Sequence, residues 1–429
     1  MADIEIPLLR CANTYACRLI EAAKKFADSR YQFHRRVNWS YRYSKQFYGY
    51  ESDRFIDNPQ QYINDQIDKT YLLEDVFKTR LSMKQVAIVV VKVLAHWVFY
   101  ILGALTALGT KGRFGIYRKA YVDDIELVFD PDQAGVLRAV YPFPLNAMRQ
   151  LRYFLFLRKN GYKFKTDGNP YSPVDLLRLL MRRDLHSLQR MESRAQIRHA
   201  YEVAALGVKT VQMSDEFDVG NLDFCRAIRR LQVRIINSAH GVGTYLPIHA
   251  YHEFHVLTQH QRSYYKPIYD CEYRLRSLNV KKSNKDEPIV GHEFSKVVLV
   301  FLSQTSFSVT QIVSENEVKV VARLAAEFAS SPNVELLYKA HPNNHAATTP
   351  LGFQPLRDLA AVNGHPGTIF VSLFSTCYLD PNFIGRKLLI RIGLIYPELV
   401  FDNMDDILDL DGLIRYVNHV IANPSTLQT

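Results

Sequence analysis

The sequence predicts an α/β protein of two doubly wound domains, and three observations support this fold class. Its 429 residues exceed one ordinary hydrophobic core and fit two domains of about 150 to 250 residues each. From about residue 120 onward, strand signals alternate with amphipathic helix signals. The strand signals are apolar runs without period-two alternation, a pattern typical of parallel strands that are covered on both faces.

The chain divides into four predicted regions. Residues 1–120 form a helical N-terminal region, 121–285 a first Rossmann-like domain, 296–405 a second one, and 406–429 a C-terminal helix. The polar stretch 279–288 between the two domains is typical of a linker.

The first domain contains a predicted β-α-β unit. Val208–Met213 is a strand, Asn221–Leu231 an amphipathic helix and Val233–Asn237 the next strand. Before them, Ser172-Pro173 is a typical helix start, because serine caps the free N–H groups and proline suits the first helical position. We expect the apolar face of that helix to contain Leu176, Leu177, Leu180 and Met181.

The second domain repeats the same alternation. Its strands are predicted at Val297–Leu302, Val334–Tyr338, Thr368–Val371 and Leu388–Ile392. Its helices are predicted after Ser314-x-x-Glu317, read as a capping box, at Tyr378–Gly385 and at Ile407–Ile421.

Charge and cysteine content restrict the environment and the partners. Lysine and arginine outnumber aspartate and glutamate by 53 to 43, and this net charge of +10 favours an anionic partner. Five scattered cysteines without a C-x-x-C pair indicate a reducing compartment, and no signal peptide is recognised near the start. We therefore expect a cytoplasmic protein.

The segment Val86–Leu108 is almost wholly apolar and is long enough to span a bilayer. Lys92, His96 and Gly103 lie inside it and weaken that interpretation. A buried helix or a helix on the membrane surface is favoured over a span. The basic residues that follow it would suit the anionic inner leaflet of a membrane.

Polar residues follow two neighbouring predicted strands of the first domain. Asp215 and Glu216 come after one strand, and His240 comes after the next. Strand ends of a parallel sheet meet at one edge, so a carboxylate and an imidazole would face one substrate, and either could act as a general base. Gly241 and Gly243 allow the backbone to approach a ligand closely. Alternatively, His240 binds a loop carbonyl and the two acids cap the next helix.

Basic and hydroxyl side chains follow the strands of the second domain. Lys339, His341 and Pro342 close one strand: lysine is a point charge, histidine a donor, and proline ends the strand. Such residues on one rim suit a phosphate.

Two further strand ends of the second domain complete the predicted anion site. Ser372, Ser375 and Thr376 close the strand that precedes the helix predicted at 378–385, and its N–H groups would meet the same phosphate. The alternative is that one hydroxyl only caps that helix. Ser303 and Gln304 follow the first strand of the domain and are candidates for contact with a base or ribose.

Taken together, these motifs resemble those of GT-B glycosyltransferases of bacterial surface polysaccharide assembly. Lys339-Ala340-His341-Pro342 and Ser375-Thr376 are similar to the His-Pro and Ser/Thr motifs that hold the CMP part of the donor in sialyltransferases and polysialyltransferases. In those families an acidic pair followed by glycine supplies the base. Asp215-Glu216 stands where that pair is expected, with Phe217 in place of the glycine.

The segment from His240 to Pro247 instead resembles the CDP-glycerol glycerophosphotransferases and the capsule 3-deoxy-manno-octulosonate transferases. In the former family a histidine before glycine acts as the base. These resemblances imply a GT-B fold with two domains facing each other across a cleft.

The implied reaction is inverting glycosyl transfer from a nucleotide-activated donor, CMP-linked with a sialic acid or octulosonate sugar, to a glycan or glycolipid acceptor. Polyol-phosphate transfer from a CDP-linked donor and a non-catalytic binding scaffold are the alternatives. No D-x-D motif follows a suitable strand, so no metal and no cofactor beyond the co-substrate is expected. Asp123-Asp124 and Asp405-Asp406 are read as surface or capping pairs. No nucleic-acid-binding module is recognised.

Overall fold

The computed structural model describes most of the chain outside its first 79 residues. The described residues are 61, 80–106, 114–119, 135–140, 154–159, 161–166, 170–214, 219–239, 241, 249–267, 270–276, 296–304, 311–341, 348–380, 383–393, 397, 401–403 and 405–423. The linker predicted at 279–288 therefore lies outside the described residues, as does nearly all of the predicted N-terminal region before residue 80.

The first domain is built on a parallel sheet of seven strands. They are β1 (Ile116–Lys119), β2 (Val136–Val140), β3 (Lys163–Thr166), β4 (Thr210–Met213), β5 (Arg234–Ser238), β6 (Glu253–Val256) and β7 (Glu272–Leu275). Their spatial order is β3-β2-β1-β4-β5-β6-β7, and every neighbouring pair is parallel. The strand order reverses between β1 and β4, which is the switch point of a doubly wound sheet.

The second domain repeats this topology with six parallel strands. They are β8 (Val297–Leu302), β9 (Val334–Lys339), β10 (Gln354–Pro355), β11 (Thr368–Ser372), β12 (Arg386–Arg391) and β13 (Ile407–Asp409). Their order is β10-β9-β8-β11-β12-β13, so the switch point lies between β8 and β11. The predicted α/β class with two doubly wound domains is confirmed.

The α-helices that we label in the described ranges number seven. They are α1 (Met83–Thr106), α2 (Pro173–Arg182), α3 (Leu185–Ala205), α4 (Val219–Arg230), α5 (Gln259–Tyr265), α6 (Gln311–Phe328) and α7 (Leu410–Ala422). Within these ranges, no helix combines the length and the apolarity of a membrane span.

Two predicted domain limits differ from the sheet boundaries. The first domain was predicted to begin at residue 121, but its central strand β1 already starts at Ile116. The region from 406 was predicted as a helix, but it opens with β13, the sixth strand of the second sheet, and the helix starts at Leu410. Asp409 accepts a hydrogen bond from the backbone N–H of Gly412 and so caps this helix.

Residues 86–106 of the apolar segment predicted at 86–108 lie in α1, which packs against α2 and α3. Val93 of α1, Leu176 and Leu179 of α2 and Met191 of α3 form a small buried cluster. The face predicted for α2 was wrong, since Leu177, Leu180 and Met181 are exposed. Spacing alone could not distinguish the inner leucines from the outer ones.

Candidate functional site

The ends of three adjacent strands bring the predicted donor-binding residues to one edge of the second sheet. Leu302 at the end of β8 pairs with Lys339 at the end of β9, and Phe301 pairs with Val371 of β11. Ser303 donates its backbone N–H to the carbonyl oxygen of Lys339 over 3.0 Å. The rim thus contains Ser303, Lys339 and Ser372 side by side at the switch point, where doubly wound sheets bind ligands.

A buried carboxylate holds the end of β8 in place. Glu317 of α6 accepts hydrogen bonds from Ser303 Oγ at 2.5 Å, Gln304 N at 2.9 Å and Tyr338 Oη at 3.0 Å. Burial and the neighbouring Glu317 raise the pKa of Tyr338 to about 12. The capping box predicted for Glu317 was wrong, because α6 already begins at Gln311 and this glutamate lies inside it. Its carboxylate fixes the loop that carries Ser303 and Gln304.

Ser372 and Ser375 shape the turn after β11. Ser372 Oγ accepts the backbone N–H of Ser375 at 3.2 Å, and Ser375 Oγ accepts that of Cys377 at 3.3 Å. Both serines are buried. Ser375 therefore caps a 3₁₀-helix at Thr376–Leu379, and the helix predicted at 378–385 was wrong. Lys387 of β12 ends this short helix by donating to the carbonyls of Tyr378 at 3.3 Å and Asp380 at 2.5 Å. Such a short helix offers little dipole, so an anion at this turn would depend on hydroxyl groups.

Lys339, His341 and Thr376 lie at the mouth of this rim. Lys339 Nζ donates one hydrogen bond to the carbonyl of Arg357 at 2.9 Å, which leaves its other two N–H groups for further acceptors. Lys339, His341 and Thr376 are half-buried, so packed side chains do not seal any of them off from a ligand. Pro342, the last residue of the predicted motif, lies outside the described residues.

The rim of the first domain follows β4 and β5. These strands are neighbours, and Gln212 of β4 pairs with Ile236 of β5. Ser214 and Ala239, which directly follow the two strands, are buried. The predicted bases Asp215, Glu216 and His240 come next in the chain, together with Gly243 further on, but these four lie outside the described residues. Their proximity stays a prediction.

Gly241 of the first domain approaches Thr376 of the second. A Cβ built on Gly241 would lie 3.2 Å from Oγ1 of Thr376, a distance tighter than an ordinary van der Waals contact. The carbonyl of Gly241 accepts a hydrogen bond from Nε2 of Gln261 at 2.8 Å, and Oε1 of Gln261 accepts the backbone N–H of Leu257 at 2.8 Å. The loop after β5 and the turn after β11 therefore meet, and the buried Gln261 fixes the first of them.

A second contact joins the domains at the start of α5. Asp402 accepts hydrogen bonds from the backbone N–H groups of Gln259 at 2.8 Å and His260 at 3.2 Å, and its carboxylate also contacts the His260 ring. Burial alone would raise the pKa of Asp402, but the hydrogen bonds from His260 and Gln259 outweigh it and lower this pKa. Both contacts join the first domain to the second.

Sequence reasoning missed the roles of Gln261, Asp402 and Asp406. Thr258-x-x-Gln261 is a capping-box pattern that would have indicated the start of α5. Asp406, read from the sequence as a surface or capping residue, accepts from Asn403 Nδ2 at 2.7 Å, pairs with Arg386 at 2.8 Å and binds the Tyr378 hydroxyl. Burial and then Asp406 raise the pKa of Tyr378. Nothing in the sequence indicated the roles of Asp402 and Asp406, because both depend on contacts between segments that are distant in the chain.

No group of three or more histidine, cysteine, aspartate or glutamate side chains that could hold a metal occurs within the described ranges. The loops 215–218 and 242–248 lie outside those ranges. The absence of a metal from the reaction therefore stays a prediction.

Comparisons with known proteins found similarity in structure only. No protein-family model matches the sequence, and no curated protein matches it significantly. Among solved structures, MurG of Acinetobacter baumannii matches with a TM-score of 0.40 and 11% identity, covering 73% of this chain and 92% of that one. The glycotransferase of kitacinnamycin matches with a TM-score of 0.43 and 9% identity over 74% of this chain and 93% of that one. HepE of Anabaena, solved in complex with UDP, matches with a TM-score of 0.42 and 10% identity over 72% of this chain and 91% of that one.

Proposed function

We propose that this protein is a metal-independent, inverting glycosyltransferase of the GT-B type. One observation supports this proposal above all: two doubly wound parallel sheets meet through the loops at their carboxyl ends, where Gly241 of one domain approaches Thr376 of the other. Ligands of doubly wound sheets bind at such edges. Two facing edges provide separate places for a donor and an acceptor, with the reacting atoms between them.

The second domain is the proposed donor side. Lys339, His341 and Thr376 supply a cation, an imidazole and a hydroxyl at the mouth of its rim. These groups suit the phosphate of a nucleotide, on which negative charge increases when the bond between the anomeric carbon and the phosphate oxygen breaks. Glu317 holds the loop of Ser303 and Gln304 beside them.

The first domain is the proposed acceptor side. An acceptor hydroxyl attacks the anomeric carbon from the face opposite the leaving phosphate, which inverts the configuration. A base removes its proton, and Asp215, Glu216 and His240 are the candidates. They follow β4 and β5, two neighbouring strands, and the backbone of Gly241 next to His240 reaches the donor side.

The motifs favour a CMP-linked donor with a sialic acid or octulosonate sugar, and a glycan or glycolipid acceptor of a bacterial capsule or lipopolysaccharide. Their support is the similarity of Lys339-Ala340-His341-Pro342 and Ser375-Thr376 to CMP-binding motifs. A CDP-glycerol donor is the second candidate, because His240-Gly241 resembles the base of that family and Gly241 approaches Thr376 of the donor side.

Nucleotide binding tests the donor side first. The melting temperature of the full chain is measured with CMP, CDP, UDP and GDP, since a ligand at one hundred times its Kd stabilises by about 2.7 kcal/mol. We expect CMP to give the largest shift. Release of nucleotide from CMP-sialic acid, CMP-linked octulosonate, CDP-glycerol and UDP-sugars then identifies the donor. If no nucleotide shifts the melting temperature, the protein is a scaffold and the proposal fails.

Substitutions then separate the two sides. His341→Ala and Thr376→Ala should weaken CMP binding and turnover together. A change at the true base, among Asp215→Asn, Glu216→Gln and His240→Ala, should spare CMP binding and lower turnover by about 10² to 10⁴. His419→Ala is the matched control, because His419 lies in the last turn of α7, at the end of this helix that is farther from β13. Normal turnover in all three base variants would contradict the acceptor side.

Metal independence has a direct test. Turnover should persist in excess EDTA and should not rise on adding Mg²⁺ or Mn²⁺. Complete loss of turnover in EDTA, restored by one of these ions, would contradict this part of the proposal.

A further inference from the structure

Helix α1 presents an apolar face to solvent as well as an apolar face to the protein. Its inner face, around Val86 and Val93, packs in the first domain. The opposite face contains a stripe at spacings of three and four, and this stripe is exposed: Ile88, Val91, Leu94, Val98 and Ile101. Val91, for example, is 65% exposed. Soluble helices normally place polar residues on such a face.

Helix α2 lies beside α1 and also has exposed apolar side chains. The two run antiparallel, because Leu81 before α1 donates its N–H to the carbonyl of Arg183 after α2, while Trp97 donates to the carbonyl of Tyr171 before α2. Val174, Leu177 and Met181 of α2 are exposed and share one side of the helix. We call the exposed apolar side chains of both helices the α1–α2 surface.

Both helices of the α1–α2 surface carry basic residues. Helix α1 carries Lys84 and Lys92 and no acidic residue over its 24 residues. Helix α2 ends with Arg182 and is followed by Arg183. An apolar centre with basic residues at its margins complements an interface that is apolar inside and negatively charged at its edge.

An arginine cluster next to α2 strengthens this charge. Asp175 pairs with Arg194 at 2.6 Å and with Arg178 at 3.4 Å. Burial, together with the positive charges of Arg194, Arg178 and Arg182, lowers the pKa of Arg190. The positive charges of Arg178, Arg182 and Arg194 are therefore close enough to Arg190 to affect its ionisation.

We propose that the α1–α2 surface docks on the headgroup region of an anionic lipid bilayer, with its apolar stripe inserted and its basic residues against lipid phosphates. The proposal does not depend on the transferase reaction. A second copy of the chain is less suitable, because a symmetric dimer through this surface would bring the same basic residues of both copies together.

Vesicle co-flotation of the full chain tests the proposal. We expect binding to vesicles of phosphatidylglycerol and phosphatidylcholine, and little binding to phosphatidylcholine alone. Replacing Val91, Leu94 and Val98 by Gln should weaken binding at least about thirtyfold, through lost apolar insertion. The double variant Lys92→Gln, Arg182→Gln should weaken vesicle binding about fivefold for each charge removed. Added salt should also weaken vesicle binding.

The matched control is Val318→Gln on α6 of the second domain, since Val318 is also 65% exposed. It should leave vesicle binding unchanged, and all variants should keep the wild-type melting temperature because the replaced side chains face solvent. Equal binding to both kinds of vesicle, or equal loss in the Val318 control, would overturn the proposal. So would a wild-type dimer in light scattering that the triple variant converts to a monomer without any vesicle binding.

Discussion

The two sheets share one topology but contain different side chains. All six residues of β8 in the second domain are buried and apolar. In the first domain, β1 and β2 bury Arg118, Lys119 and Arg138, each no more than 2% exposed. Lys119 Nζ lies 4.7 Å from the centre of the Phe224 ring, and the Arg138 guanidinium lies 4.3 Å from that of Tyr162.

This difference shows two ways of covering a parallel sheet. The second sheet depends mainly on apolar burial, with polar contacts gathered beside it at Glu317 and Asp406. The first accommodates cations through aromatic faces and hydrogen bonds, such as that from Arg118 Nε to Gln212 Oε1 at 2.8 Å. The stability of the first domain should therefore depend more on specific polar contacts and on pH than that of the second.

The largest effect is expected where the second sheet departs from its apolar composition. Glu317→Ala leaves Ser303, Gln304 and Tyr338 without their common acceptor, so the free energy of unfolding should fall by about 3 to 5 kcal/mol. Urea titration measures it. Glu327→Ala on the same helix removes only an exposed pair with Arg323 and should cost less than about 0.5 kcal/mol. A loss below about 1 kcal/mol in the Glu317 variant would mean that this carboxylate does not organise the rim.

The next largest effect is that the stability of the first domain depends on pH through His249. Burial and the charge of Arg229 lower the pKa of His249 to about 3, below the ordinary value of 6.5. Between these values the unfolded chain binds a proton that the folded chain does not, so stability is complete above pH 6.5 and falls as the pH decreases toward 3. The slope is about 1.4 kcal/mol per pH unit.

The variant His249→Phe tests this slope. The imidazole accepts the backbone N–H of Tyr251 and hydrogen-bonds the Tyr273 hydroxyl at 3.1 Å, so the variant should be less stable at pH 7. Urea titrations between pH 7 and pH 4 should nevertheless show a shallower pH dependence than the wild type. Parallel curves for the two proteins would exclude His249 as the cause.

A smaller difference in stability is expected between substitutions at two phenylalanines that are both fully buried. Phe224 of the first domain contacts Lys119, whereas Phe301 of the second stacks on Tyr338 with ring centres 6.2 Å apart. Phe224→Leu should cost about 1 kcal/mol more than Phe301→Leu, because only the first also loses a buried cation–π contact. Urea titration of both variants measures the difference. Equal losses would contradict the stated contrast between the two sheets.

The smallest effect concerns the place where the two domains meet. Gly241→Ala brings a methyl group to 3.2 Å from Thr376 Oγ1 and should lower stability by less than about 1 kcal/mol. The melting temperature should fall by a few degrees at most. In a Thr376→Ala background the same change should have almost no effect. Equal losses in both backgrounds would show that the strain arises elsewhere.

The sequence predicted the second domain better than the first, for a physical reason. The strands β8, β9, β11 and β12 each contain a run of at least three apolar residues, and all four were predicted within two residues of their ends. The first three strands of the first sheet contain Ile-Tyr-Arg-Lys, Val-Leu-Arg-Ala-Val and Lys-Phe-Lys-Thr, which no apolar run distinguishes. Their charges are buried by partners far away in the chain, so local pattern could not identify them.

The sequence by itself determined the α/β class, the two-domain organisation and the edge of the second sheet at which Ser303, Lys339 and Ser372 lie, because apolar runs and the alternation of strands with helices along the chain follow from local residue patterns. Only the tertiary structure decided that Glu317 holds the rim, that Ser375 caps a 3₁₀-helix and that Gly241 reaches Thr376. Each of these contacts joins residues whose distance in space is set by the packing of whole elements, and no local pattern records that distance.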